Sequence, residues 1–293
     1  MTCYDFTSHG ASAAGDTTPY SIPVGESYHC FYFDVPWPAS QVAAGFRSKL
    51  DNTKGLHHWF LYAMPTSHPN GTSESCLPLH FDGPEMFAGW SPGAKDITMP
   101  SDVGAEIPKP MTTLMVEWHY LNATSAPLTD RSSVSVCTVP SGSRPKLASI
   151  AWVGTENLSI PPSTQSTASG VCKPGRKGMN ATDPIQLLYA APHMHQYGTH
   201  FSIAITHTDG TSTMAMDQPF DVGNQAMVPT PFQVLAGDTL KTTCSFTNTT
   251  AATIGWGDPF TGGEMCYGFV FHYPAHALDN GTRSLLGASN SCL

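Results

Sequence analysis

The chain has 293 residues, with 13 lysines and arginines against 22 aspartates and glutamates, and a formal net charge of −9 at pH 7. With no basic run, this balance excludes a nucleic-acid partner, and no apolar stretch reaches the roughly 20 residues of a membrane span. Only 12% of residues are charged, while 26 glycines and 25 prolines accompany abundant serine and threonine, a composition of short strands joined by many turns.

The length predicts two domains. Residues 1–27 are polar and read as an N-terminal arm tied down by Cys3; Met1-Thr2-Cys3 does not begin a signal peptide, so the chain reads as mature or trimmed. Apolar strands are predicted at 30–35, ended by Pro36 and Pro38, and at 56–64, apolar on both faces and therefore buried. Residues 65–110 are proline-rich and expected to wrap the surface. Residues 112–120 form a strand on which Met115, Glu117 and His119 share a face, and 134–139 closes the first unit. The segment 140–145 (PSGSRP) is the best linker. A second unit then has strands at 147–153, 185–190, 200–206, 232–235, 239–246 and 265–273. No segment carries a long 3.6-residue period and no internal repeat is evident by eye. The fold class is all-β: two tandem antiparallel β-sandwich, jelly-roll-like domains, 1–142 and 143–293.

Eight cysteines are dispersed without a CxxC pair, which argues against a zinc ribbon or thioredoxin-like motif and for four disulfides in an oxidising compartment. Six of the nine asparagines (Asn70, Asn122, Asn157, Asn180, Asn248 and Asn280) lie in N-x-[ST] sequons, where chance would place about two. Turn chemistry accounts for part of this excess. Secretion, into the extracellular space, a secretory-pathway lumen or a periplasm, is the expected location.

Thirteen histidines make isolated pairs unremarkable, so the candidates rest on geometry. His193 and His195 are two apart and share a face of an extended segment, a ready chelate. Met265, ordinarily a core residue, stands in Gly263-Glu264-Met265-Cys266 and offers a soft thioether suited to copper(I). His57 and His58 are adjacent, and adjacent strand residues point to opposite faces; a local twist or unlike ring nitrogens is needed to bring both to one ion. His119 completes a three-histidine set. His9, His29, His68, His80, His200, His207, His272 and His276 lack comparable partners and are expected at the surface or in hydrogen bonds, with His200 near enough to the chelate to watch. Motifs of zinc proteases, serine hydrolases and nucleotide-binding loops are missing, as is a carboxylate pair for glycoside hydrolysis.

In this order, His57-His58, His119 in Trp118-His119-Tyr120, His193-x-His195 and Glu264-Met265-Cys266, the chain resembles the copper type II, ascorbate-dependent monooxygenases, the family of peptidylglycine α-hydroxylating and dopamine β-monooxygenases. The likeness runs from about Cys3 to Cys292 and includes Ser159-Ile160-Pro161-Pro162 and Gly237-Asp238-Thr239 through Cys244. It implies two coppers per chain, one on His57, His58 and His119 and the other, catalytic one on His193, His195 and Met265. It implies the disulfides Cys3–Cys137, Cys30–Cys76, Cys172–Cys292 and Cys244–Cys266. It also implies hydroxylation of a substrate C–H bond with O2 and ascorbate. The peptide branch carries an arginine where Ala191 stands, and an asparagine and a tyrosine where Tyr267 and Phe269 stand. The resemblance therefore predicts no activity on glycine-extended peptides and a small organic substrate instead. Glu117 and Phe269 are closer to the catecholamine branch. Trp256, Phe260, Tyr267 and Phe269 are candidates for an aromatic-lined pocket, with core packing as their alternative use. Two other readings stand beside the enzyme: a non-catalytic extracellular copper-binding protein of the same fold, and a recognition module with incidental histidines. Oligomeric state is not addressed by the sequence.

Overall fold

In the computed structural model, which describes residues 1–76, 85–180, 182–257, 262–282 and 290–293, alternation and turn residues produce strands almost everywhere. The described residues contain no α-helix and a single 3-10 turn, Ser141–Ser143, within the stretch expected as a linker. They divide into two compact units, Met1–Leu147 and Ala148–Leu293.

In the first unit a five-stranded antiparallel sheet runs in the order Ser73–Ser75, Gly25–Phe33, Thr113–Asn122, Leu56–Met64, Glu85–Trp90. Its partner sheet contains Thr2–Thr7, Ser133–Pro140 and Gln41–Lys49, with short strands Ile97–Thr98 and Val103–Ala105. Trp59 Nε1 donates to Ser48 Oγ (3.1 Å) and Phe6 meets Phe33 (ring centroids 5.3 Å), so the faces carrying Trp59 and Phe33 look toward the second sheet. A fully buried side chain such as Trp59 contributes about 1.5–3 kcal/mol. His58, Phe60 and Tyr62 lie by alternation on the opposite face.

Two expectations are corrected here. The arm begins with a strand, Thr2–Thr7, whose Cys3 stands opposite Cys137. The segment 65–110 is not a surface wrap: Met86, Phe87, Ala88 and Trp90 are buried, and a Cβ on Gly89 would lie 2.5 Å from the Phe60 ring. Proline punctuation masked the strand.

In the second unit the sheet of Lys146–Thr155, Cys266–Tyr273 and Ile185–His193 packs on a four-stranded sheet ordered Gln165–Cys172, Thr239–Thr247, Gly198–Thr206, Ser212–Pro219. Gly268 permits close approach, since a Cβ there would sit 2.9 Å from Ile203 and 3.2 Å from Phe201. The core lies between these sheets, among Val153, Met194, Phe201, Ile203, Phe246 and Val270. The eight cysteines form Cys3–Cys137, Cys30–Cys76, Cys172–Cys292 and Cys244–Cys266, which fits folding in an oxidising compartment.

The units also share an internal repeat that the sequence does not display to the eye. Asn122-Ala-Thr124-Ser-Ala126 and Asn248-Thr-Thr250-Ala-Ala252 make the same corner. Each asparagine amide donates to the alanine carbonyl four residues on and to a distant main chain: Ile22 O in one unit, Ile160 O and Pro161 O in the other. Each carboxamide oxygen accepts the threonine N–H and hydroxyl. The distant segments are both Ser-Ile-Pro, and Leu128 pairs with Ile22 as Ile254 pairs with Ile160.

Candidate metal centre

The strand carrying His119 solves the geometric problem posed by adjacent histidines. His119 pairs with His58 and Tyr120 with Leu56, so His57 is the extra residue of a β-bulge. A bulge re-aims one side chain and breaks the strict alternation. The three Nδ1 atoms consequently form a near-equilateral triangle: His57–His58 3.1 Å, His57–His119 3.2 Å and His58–His119 3.3 Å. Ligands about 2.0–2.1 Å from one ion at a tetrahedral angle are about 3.4 Å apart, so these imidazoles fit one metal. His119 Nε2 donates to Glu26 Oε1 at 2.8 Å, which leaves the Nδ1 lone pair for the ion, and Tyr28 stacks on the ring at 4.0 Å. Cys30, Cys76 and Glu117 also lie within ligand distance of one another, but both cysteines are spent in a disulfide.

His193 ends its strand, Met194 turns inward to the core, and His195 returns to the outer side. The ladder opposite pairs Ala191 with Phe269, Pro192 with Gly268 and His193 with Tyr267. Continued by two residues, that register brings His195 level with Met265. The ladder does not continue; the carboxylate of Glu264 takes its place. Glu264 is fully buried, its Oε1 accepting from Tyr197 N–H (2.7 Å) and its Oε2 from His195 N–H (2.8 Å) and Met265 N–H (3.3 Å). Burial pushes its pKa up to about 7, against the three N–H groups that pull it down. His193 Nδ1 donates to Gln225 Oε1 (3.0 Å) and His195 Nδ1 to the Gly263 carbonyl (3.0 Å). Both rings thereby become tautomers with the lone pair on Nε2. Here these bonds occupy the δ nitrogens, where in the first unit the δ nitrogens converge on one another. Met265 is buried beside Cys266, which the Cys244 disulfide pins to the other sheet.

Of the aromatic candidates, Phe269 packs against the His193 ring (centroids 5.3 Å) and Trp152 (4.8 Å). Tyr267 is fully buried, its hydroxyl donating to Glu156 (2.6 Å) and accepting from Trp256 Nε1 (2.9 Å). Tyr267 is therefore tied into the frame rather than presented to a ligand, while Phe269 lies beside the His193 ring. Phe260 and His80 fall outside the described residues. His9 and His272 are buried and hydrogen-bonded, within the expectation of surface or hydrogen-bonding histidines, and His29 is largely enclosed. Sequence reasoning missed Glu26, Gln225 and Trp152; only their positions in the folded sheets identify them.

The all-β framework thus carries a three-imidazole cluster in one unit and, in the other, a His-x-His segment stapled to a buried methionine segment. Residues 146–285 match the copper type II ascorbate-dependent monooxygenase, C-terminal domain, a match that supports that family for the second unit. It is 24% identical over 285 residues to a putative DBH-like monooxygenase protein 2 of Homo sapiens, covering 90% of this chain and 57% of that protein. It is likewise 24% identical over 293 residues to DBH-like monooxygenase protein 1 of Gallus gallus, covering 88% and 47% respectively. The chain thus spans about half the length of the curated relatives it matches. Among solved structures, the STIV MCP covers 93% of the chain at a TM-score of 0.32 and 10% identity, a likeness that carries no argument.

Proposed function

We propose that the chain is a copper-dependent monooxygenase that hydroxylates a C–H bond of a small organic molecule, with O2 as oxidant and ascorbate as reductant. The observation that carries this reading is the Nδ1 triangle of His57, His58 and His119 in a chain that also holds His193, His195 and Met265 in one framework. Two ions are assigned per chain, one to each set. Copper, when bound, supplies one-electron redox chemistry and O2 activation. In the balanced reaction one oxygen atom enters the C–H bond and the other leaves as water, with two electrons from ascorbate and two protons from solvent.

The protein's part is ligand choice, orientation and substrate selection. The Met265 thioether favours the cuprous state. Gln225 and the Gly263 carbonyl fix the ring tautomers of His193 and His195, and Glu26 fixes that of His119. Phe269 gives the neighbourhood of His193 an apolar wall. Ala191, opposite Phe269 in the ladder, offers no cation to clamp a carboxylate. A neutral or amine-bearing substrate with an apolar or benzylic carbon fits this wall, and glycine-extended peptides do not. The disulfides and the exposed sequons at Asn70, Asn157 and Asn180 support work outside the cytosol.

The test is a screen of benzylic amines, aliphatic amines and peptides by mass spectrometry, scored for ascorbate- and copper-dependent gain of one oxygen atom. Product from an amine panel with none from peptides is expected. Two bound coppers without substrate-dependent O2 consumption would make the chain a copper binder instead. Absence of tightly bound copper would sink both readings. Met265→Ala should abolish Cu(I)–sulfur scattering in X-ray absorption and reduce turnover by at least about 100-fold, near the upper end of what loss of a metal-tuning group costs.

A further inference from the structure

Glu264 is the residue that the functional reading leaves without a task. A buried carboxylate is costly unless hydrogen bonds meet it, and this one is met by main-chain donors from both segments of the site and, among the described residues, by none from a side chain. The strand ladder ends at His193 and Tyr267. Beyond that point the chains splay, and the N–H groups of His195, Tyr197 and Met265 turn to the two oxygens of Glu264. One side chain thereby substitutes for the missing rungs across 69 residues of sequence. Its own backbone is held as well, with Glu264 N–H donating to Gly255 O at 3.0 Å and Glu264 O accepting from Gly257 N–H at 3.1 Å. Met265 is then fixed from both sides, by this clamp and by the Cys244–Cys266 disulfide.

We infer that Glu264 is a positioning residue of the methionine site: its carboxylate sets the spacing between the His193-x-His195 segment and the Met265 segment, and so the site's capacity to hold cuprous copper through sulfur. It acts through the main chain of the ligands and does not itself bind the metal. The inference rests on the proposed assignment of His193, His195 and Met265 as ligands.

The discriminating variant is Glu264→Gln. Glutamine keeps the shape, but one of its two arms becomes an NH2 that faces an N–H where an acceptor is required. Glu264→Asp is the companion variant, keeping the charge while falling short of both segments. Copper(I) is titrated into the full chain against a competing chelator, and sulfur scattering is read by X-ray absorption. Near-UV circular dichroism and disulfide mapping report the fold. For both variants the expected result is one copper held with the wild-type affinity of the three-histidine site and a second held about 10- to 100-fold more weakly, with its sulfur signal diminished. Wild-type affinity and sulfur signal in Glu264→Gln would overturn the inference. So would unfolding of both variants with loss of both coppers, which would make Glu264 a folding residue only. Wild-type protein without any sulfur signal would instead overturn the ligand assignment on which the inference stands.

Discussion

A histidine becomes a selective ligand when something else fixes its other nitrogen, and in the two histidine sets opposite ring nitrogens are fixed. Glu26 holds Nε2–H of His119 so that Nδ1 faces His57 and His58, whereas Gln225 and the Gly263 carbonyl hold the Nδ1–H groups of His193 and His195. The sequence reveals the ligand candidates but not these partners, because Glu26 is 93 positions from His119 and is one of many acidic residues on strands. The contact is nevertheless testable. Glu26→Ala removes the acceptor, and outer partners of this kind alter metal affinity by about 10- to 100-fold. Cuprous copper on the three-histidine site of that variant is expected to bind at least about 10-fold more weakly in a competitive titration, with the sulfur-ligated copper unchanged. Equal affinities would show that Tyr28 stacking and the bulge alone orient His119.

The repeated element is the asparagine corner, and it changes the meaning of two sequons. Asn122 and Asn248 are each 1% exposed, and their amide groups are committed to main-chain carbonyls. The Asn-x-Thr pattern there is a structural lock, unlike Asn157, whose side chain lies at the surface. Glycopeptide mapping after expression in a secretory eukaryotic host is expected to find glycan on Asn157 and none on Asn122 or Asn248; occupied Asn248 in folded protein would refute the lock. Asn248→Asp keeps the acceptor for Thr250 but turns a carboxylate toward three carbonyls, an uncompensated buried charge worth about 3–5 kcal/mol of destabilisation, readable as a drop in urea midpoint. The repeat extends to the bulge. Counting back from each corner, Tyr120–Leu56 and His119–His58 correspond to Phe246–Gly198 and Ser245–His200, with His57 and Thr199 as the extra residues. The same frame thus carries three imidazoles in one unit and Thr199, His200 and Ser245 in the other. Sequence inspection overlooks this because only Ser-Ile-Pro and Asn-x-Thr-x-Ala survive as shared letters, while register is a property of paired strands. Apolar runs and alternation made nine of the long strands legible; Thr2–Thr7, Gln41–Lys49, Glu85–Trp90, Gln165–Cys172 and Ser212–Pro219 were not, since proline-rich flanks and small or polar residues carry little apolar period.

At the scale of the molecule, each unit encloses a histidine that folding keeps neutral, and stability should therefore fall on acidification even without metal. In the second unit His272 is fully buried, its Nδ1 donating to the Val270 carbonyl and its Nε2 accepting from Leu278 N–H (both 3.3 Å). Protonation would set a new N–H against that donor. Burial lowers the pKa to about 4, and nearby His276 adds to the effect. In the first unit His29 is lowered to about 4 by burial and by His9, and its Nδ1 meets no hydrogen-bond partner among the described residues. Both folded values lie below the unfolded value near 6.5. The unfolded chain therefore binds more protons between the two, so the stabilisation is whole above pH ~6.5 and is lost as pH falls toward ~4. For His272 the loss is about 3 kcal/mol at 1.36 kcal/mol per pH unit; the partly exposed His29 contributes less. Metal release through protonated ligands would add to any such fall, so the measurement requires chelator-treated protein. Urea midpoints of wild type and His272→Gln at pH 7 and pH 4.5 isolate one histidine from the carboxylates. Glutamine offers Leu278 an acceptor without titrating, and the variant is expected to lose about 2–3 kcal/mol less than wild type over that interval. Parallel losses in the two proteins would mean that His272 titrates alike in the folded and unfolded chain, and that the acid sensitivity of the second unit arises from its carboxylates.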